Sequence, residues 1–227
     1  MSIVLLFDLD GTLVLTGGAG RRAMEQALDT FCGATEVLST FSFGGMTDQL
    51  IVRTALRAVG FSDDPDTVQR VIDLYLERLP DEVARSPRYR VLPGVRPLVE
   101  SLSGEPGVAL GLGTGNVRIG AITKLARGGL DGFFSFGGFG CDHEDRTELL
   151  RAGVSRGAAV LGVPLEECRV VVIGDTPRDV AAAQALRARC VGVGTGGHTP
   201  EELVECGADI AFPDLTDARV RASILLS

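Results

Sequence analysis

Short runs of apolar residues recur along this chain, and between them apolar positions return every three or four residues. The runs lie at residues 3–7, 108–112, 133–136, 169–173, 190–193 and 209–212. Uninterrupted runs of that length suit strands buried on both faces, as in a parallel sheet. The stretches 94–102, 116–127, 147–161, 178–187 and 200–206 read as helices. Strand–helix alternation of this kind predicts an α/β fold with a doubly wound, parallel, Rossmann-like sheet.

One region breaks the alternation. Residues 16–88 carry helical patterns and no convincing strand. Val68, Val71, Ile72, Tyr75, Leu76 and Leu79 form one apolar stripe. Ala23, Met24, Ala27, Leu28 and Phe31 form a second. Leu50, Ile51, Ala55, Leu56 and Val59 form a third, behind Thr47 as a plausible N-cap. The stripes themselves need no role beyond packing three amphipathic helices together. Their position after the first strand predicts a small helical cap domain over 16–88, inserted into a core made of 1–15 and 89–227. There is no internal repeat and no low-complexity segment.

Composition narrows the functional classes. At 45% hydrophobic residues the chain can fill a packed interior, and no apolar stretch reaches the roughly 18 residues of a membrane span. The sequence from Met1 runs straight into the first apolar run without a basic leader, so the expected location is the cytoplasm. A net charge of -8 argues against nucleic-acid or anionic-membrane partners, but a metal ion can still draw a small anion into a pocket. Five scattered cysteines with no C-x-x-C pair read as reduced thiols, and His143 and His198 form no zinc motif with them. Lys124 is the only lysine; every other basic side chain of the Lys/Arg class is arginine.

Three polar clusters each follow a predicted strand: Asp8-Leu9-Asp10-Gly11-Thr12, Gly113-Thr114-Gly115-Asn116 and Gly174-Asp175-Thr176-Pro177-Arg178-Asp179. In a parallel sheet all three arrive at one carboxyl edge, where open α/β sheets bind ligands. Carboxylates crowded there are costly unless a cation compensates them, and hard oxygen donors without His or Cys suit Mg²⁺.

These clusters resemble the haloacid dehalogenase superfamily, in its phosphatase branch, with phosphoglycolate-phosphatase-like members as the nearest likeness. Asp8 to Thr12 looks like the first motif, Thr114 the second, and Gly174-Asp175 with Asp179 the fourth. The resemblance implies a Mg²⁺-dependent phosphohydrolase acting on a small phosphorylated metabolite. Asp8 would be the nucleophile, forming an aspartyl-phosphate, and Asp10 the acid/base. Thr114, the neighbouring Gly115 and Asn116, and Leu9 would bind the phosphoryl group. Asp8, Asp175, Asp179 and the backbone carbonyl of Asp10 would serve the metal. True dehalogenases lack an acid two residues after the nucleophile, so Asp10 favours phosphoryl transfer. A phosphosugar mutase shares the first motif and the helical cap and stays open as an alternative, as does a non-catalytic binding protein on the same fold.

One departure stands out. The family's third motif is usually a lysine, and 141–151 contains none. Arg146 is the candidate replacement, with Arg151 second, whereas Lys124 reads as a solvated helical lysine. Arg21, Arg22, Thr47 and Asp48 are candidate substrate contacts from the cap, with solvated helix ends and N-caps as the plainer reading. Two further motifs compete. Gly153-Val-Ser155-Arg-Gly157 matches a nucleophile elbow, but a helical pattern rather than a strand precedes it. Gly192-Val-Gly194-Thr-Gly-Gly197 matches a dinucleotide fingerprint, but too little chain follows for the βαβαβ unit. Asp8-Leu9-Asp10-Gly11 could be a calcium-loop fragment, but its glycine comes too early for an EF-hand and a strand rather than a helix precedes it.

Overall fold

Ile3, Leu5 and Phe7 face one side of the first strand and Val4 and Leu6 the other, and all five are buried. A strand with two apolar faces must be covered on both. In the computed structural model, which describes residues 2–34, 36–41 and 43–226, helices supply that cover. Met1, Thr35, Ser42 and Ser227 lie outside the described residues, as do the reading of the chain start at Met1 and the outer bounds of the expected core.

The elements run in the order β1 (Ser2–Phe7), β2 (Val14–Leu15), α1 (Ala19–Cys32), α2 (Asp48–Ala58), α3 (Pro65–Arg85), β3 (Arg90–Val91), α4 (Val95–Ser103), β4 (Val108–Thr114), α5 (Arg118–Ala126), β5 (Phe136–Phe139), α6 (Arg146–Leu161), β6 (Cys168–Gly174), α7 (Pro177–Ala185), β7 (Arg189–Val193), α8 (Pro200–Glu205), β8 (Ile210–Phe212) and α9 (Arg219–Leu225). Six strands form one parallel sheet in the order β5-β4-β1-β6-β7-β8. Leu5 pairs with Leu110 on one side and Val171 on the other. Buried residues of α4, α5 and α9 pack on the Leu5 face. Those of α6, α7 and α8 pack on the Leu6 face. The expected doubly wound parallel sheet is therefore present.

Between the short antiparallel pair β2–β3 stand α1, α2 and α3, with an apolar cluster of their own. It contains the first two stripes anticipated from sequence and Ile51, Ala55 and Leu56 of the third, with Met24, Leu56 and Tyr75 among the buried side chains; Leu50 lies outside the cluster and Val59, at the end of α2, is exposed. Thr47 caps α2 by accepting from the Leu50 amide at 3.2 Å, and Asp64 caps α3 by accepting from Thr67 at 2.9 Å. Among the described residues no helix is long and apolar enough to cross a membrane.

The weakest expected strand moves. Residues 131–133 form a 3₁₀ turn, and the strand is Phe136–Phe139. Its centre is Gly137-Gly138, a pair with poor strand propensity. A Cβ on Gly138 would lie 1.8 Å from the carbonyl oxygen of Leu149. Close approach of α6 to the sheet therefore demands the glycine that hides the strand from its sequence.

Candidate active site

The carboxyl ends of the neighbouring strands β4, β1 and β6 bring the three polar clusters together. Asp8 follows β1, its amide donating to Ile173 at 2.8 Å. The chain then turns sharply: Leu13 and Val14 donate back to the Leu9 carbonyl, and Gly11 sits at φ 95°. A Cβ on Gly11 would fall 2.4 Å from Asp175 Oδ2, so both the backbone angle and the neighbour require glycine. Thr12 donates from Oγ1 to Asp175 Oδ1 at 2.9 Å. After β6, Thr176 and Asp179 form a reciprocal capping box at the start of α7, which fixes Asp179 Oδ2 and leaves Oδ1 turned to Arg146.

Asp8, Asp175 and Asp179 each offer a carboxylate oxygen, all within 4.8 Å of one another and all buried. Arg146, the first residue of α6, is only 8% exposed and reaches into this group. Its Nη2 lies 2.9 Å from Asp8 Oδ1, and its Nε donates to Asp179 Oδ1 at 2.7 Å. Nη2 also donates to the Gly113 carbonyl at 3.1 Å. Arg151 points elsewhere: it is exposed and paired with Glu148 at 3.3 Å.

Burial raises the pKa of Asp8, with Arg146 opposing and Asp179 reinforcing the rise. Burial, Asp8 and Asp179 likewise push Asp175 up. Burial works against the Arg146 charge, but Asp179 and Asp8 outweigh it and hold the guanidinium protonated. With all three acids ionised, one guanidinium leaves two negative charges uncompensated. A divalent cation taking hard oxygen donors fits that deficit and that donor set. The linkage has a definite sign. Folded Asp8 and Asp175 keep protons that the unfolded chain has released, so metal-free stability should fall as pH rises above about 4. Mg²⁺ should flatten the decline, raising the melting temperature more at about pH 8 than at about pH 5. A metal-free melting temperature that climbs over that interval would contradict the arrangement.

Lys124 corrects the sequence reading most. It is not a solvated helical lysine: only 5% is exposed. Its Nζ donates to Asp10 Oδ2 and to Asn116 Oδ1, each at 2.6 Å. Asn116 Nδ2 donates to the same Asp10 oxygen at 2.9 Å and to Thr114 Oγ1 at 2.8 Å. Burial opposes the ammonium, but Asp10 and Asp48 keep its pKa above the ordinary lysine value. Asp48, first in α2, accepts from the Val117 amide at 2.8 Å and so caps the start of α5 from the helical layer. Burial pushes its pKa up to about 6, with Lys124 opposing. Its own amide donates to the Gly115 carbonyl at 2.8 Å. Helical spacing placed Lys124 on α5 but could not show that this face meets Asp10.

A cavity of about 480 Å³ opens above these groups. Asp8, Asp10, Thr114, Gly115, Asn116, Arg146 and Asp175 line it from the sheet. From α1, α2 and α3 come Arg21, Met24, Ile51 and Tyr75, and from the loop ahead of α2 comes Phe43. Arg21 stacks over Phe43 at 4.1 Å and donates to Leu38 at 2.6 Å. The other cap candidates have structural partners. The Thr47 hydroxyl caps α2, and Arg22 pairs with Glu82 at 2.6 Å. Leu9 is buried in the core beneath the site, and Asp179 lies behind Arg146. Ser155 lies inside α6, so helix rather than strand runs directly into it. Of the glycine-rich stretch 192–197, which begins inside β7, Gly196 and Gly197 line the cavity, and a Cβ on Gly196 would collide with Asp175.

The model of the haloacid dehalogenase-like hydrolase family matches residues 4–187. Among solved structures, a hydrolase from Pseudomonas syringae shares 25% identity over 100% of both chains, with a TM-score of 0.65. A predicted phosphoglycolate phosphatase from Haemophilus somnus 129PT shares 18% identity over 96% of each chain, with a TM-score of 0.69. CbbY from Rhodobacter sphaeroides, in complex with phosphate, shares 20% identity over 99% of each chain, with a TM-score of 0.73. No curated protein sequence matches this one significantly. With the family match spanning most of its length, the chain belongs to the haloacid dehalogenase-like hydrolases.

Proposed function

We propose that this hydrolase is a Mg²⁺-dependent phosphatase of small phosphomonoesters that works through an aspartyl-phosphate on Asp8. The observation that carries the reading is the Asp8–Asp175–Asp179 cluster, pinned by Arg146 and opening on a cavity that Asp10 also lines. The solved CbbY structures hold phosphate and, in a mutant, xylulose-1,5-bisphosphate, which supports a small phosphorylated metabolite here.

A carboxylate needs no base to activate it. Asp8 would attack phosphorus, the ester P–O bond would break, and Asp10 would protonate the departing alkoxide. Asp10 would then take a proton from water as that water attacks phosphorus. The bond to Asp8 breaks, phosphate leaves and the Asp8 carboxylate is restored. Thr114 and the Gly115 and Asn116 amides, ahead of α5, suit the phosphoryl oxygens. Mg²⁺ held by Asp8 and Asp175, with Asp179 and the Asp10 carbonyl in support, would offset the repulsion between nucleophile and phosphate. Residues 16–88 would act as a lid that excludes water, hinged at Gly17 and Gly18 in the first junction, 14–18, and at Pro87 and Pro93 in the second, 86–93. The Asp48–Gly115 and Arg53–Glu144 contacts support that closure.

The test is turnover of a phosphomonoester panel, beginning with p-nitrophenyl phosphate. Activity should vanish with EDTA and return with Mg²⁺. Ca²⁺ should support little, because its looser, higher coordination spoils in-line geometry. Full activity in verified metal-free protein would refute the site.

A further inference from the structure

Of the 22 lysine and arginine residues, Lys124 is the only lysine, and it is buried against Asp10. Its surroundings suit an ammonium and exclude a guanidinium. A Cβ on Gly20 of α1 would lie 3.2 Å from Lys124 Nζ and 3.4 Å from its Cε, so that helix packs directly onto the side-chain tip. Arginine is longer and planar and has no room to spread its fork there.

The contacts at Asp10 are one-sided. Lys124 Nζ and Asn116 Nδ2 both donate to Oδ2, at 2.6 and 2.9 Å. Among the described residues Oδ1 accepts no hydrogen bond from a side chain, and the Asp10 side chain remains 40% exposed where it lines the cavity. Asn116 is itself fixed, since its Oδ1 accepts from Lys124 and its Nδ2 reaches Thr114. The carboxylate is thus clamped by one oxygen and presents the other to the reacting atoms.

We propose that Lys124 is the positioning residue for Asp10, and that it acts chiefly on hydrolysis of the aspartyl-phosphate. This rests on the phosphatase reading. Hydrolysis needs Asp10 Oδ1 to hold water in line with phosphorus and to accept its proton as the bond from phosphorus to Asp8 breaks. Formation of the aspartyl-phosphate makes no such demand when the leaving group departs as a stable anion, as p-nitrophenolate does. An unclamped Asp10 therefore slows the second step and spares the first.

The experiment is rapid-mixing kinetics with p-nitrophenyl phosphate and Mg²⁺ on wild type, K124M, K124Q and K124R, with folding checked by circular dichroism. Steady-state kcat should fall on the order of 10- to 100-fold in all three variants, as for a misplaced catalytic group. Each variant should release a burst of p-nitrophenolate approaching one equivalent of enzyme, which wild type lacks. K124Q keeps a donor of similar length and serves where K124M does not fold. Turnover in wild type with no burst in the variants would overturn the inference alone, since a merely structural lysine would slow both steps together. Full recovery in K124R would overturn it as well. Absence of Mg²⁺-dependent turnover in wild type would instead overturn the phosphatase reading beneath it.

Discussion

Asp8→Asn should abolish phosphatase turnover, by on the order of 10⁴-fold or more, while leaving the fold intact. The amide has the size of the carboxylate and can still accept from Arg146 Nη2, which lies 2.9 Å from Asp8 Oδ1. It is no longer an anionic nucleophile, and it is a poorer ligand for a hard cation. The fold should not suffer, because the substitution removes one of three buried carboxylates that repel each other. Metal-free Asp8→Asn should melt at or above the wild-type temperature. Beryllofluoride with Mg²⁺, a phosphoryl mimic that needs the carboxylate, should raise the melting temperature of wild type and leave the variant unchanged. Turnover near the wild-type rate in Asp8→Asn would rule out an aspartyl-phosphate on this residue.

Much of this arrangement was legible in the sequence because strand ends in a parallel sheet are fixed by the apolar run that precedes them. Asp8, Thr114 and Asp175 follow or close runs whose alternate residues fill the two faces of the sheet, so their shared edge could be inferred without coordinates. Arg146 could be inferred too, since a helix starting after the acidic loop 142–145 begins beside that edge. What resisted reading had one cause: a contact between elements that have no local pattern in common. Gly137 and Gly138 look like loop residues until α6 is laid across them. Lys124 looks like an exposed helical lysine until Asp10, 114 residues earlier, is placed beneath it. Asp48 looks like the first residue of its own helix, yet its carboxylate caps a different one at Val117. Helical periodicity tells which residues share a face, but not which neighbour that face meets.

Those contacts tie the helical layer to the chemistry through few groups. Asp48 bonds to the chain on either side of Asn116, through the Gly115 carbonyl and the Val117 amide. Asn116 in turn touches Asp10, Thr114 and Lys124. A Cβ on Gly115 would lie 2.3 Å from the Met46 carbonyl oxygen, so the loop ahead of α2 rests directly on the turn after β4. Movement of α2 would therefore be felt at Asp10 and Thr114 through the same residues. In the lid reading, closure and alignment of the acid/base are then one event.

Arg146→Ala should lower kcat by at least about a hundredfold, the usual loss when one fixed electrostatic donor is removed from a reacting centre. The guanidinium spans two acids, meeting Asp8 with Nη2 and Asp179 with Nε, and donates to the Gly113 carbonyl as well. Without it the nucleophile can swing, and Asp8 and Asp179 face each other with no fixed cation between them. Breaking a buried pair from one side costs about 3–5 kcal/mol, so the variant should also melt earlier and must be assayed with Mg²⁺ well below its melting temperature. Arg146→Lys should recover only part of the loss, because an ammonium is a single point of charge and cannot fork across two carboxylates. Arg151→Ala provides the control. It lies on the same helix with an exposed side chain and an i,i+3 partner in Glu148, a pairing worth little. Its kcat should stay within about twofold of wild type. Steady-state kinetics at saturating Mg²⁺ separate the outcomes: equal, small effects of Arg146→Ala and Arg151→Ala would mean that Arg146 holds the fold at this edge without serving the reaction.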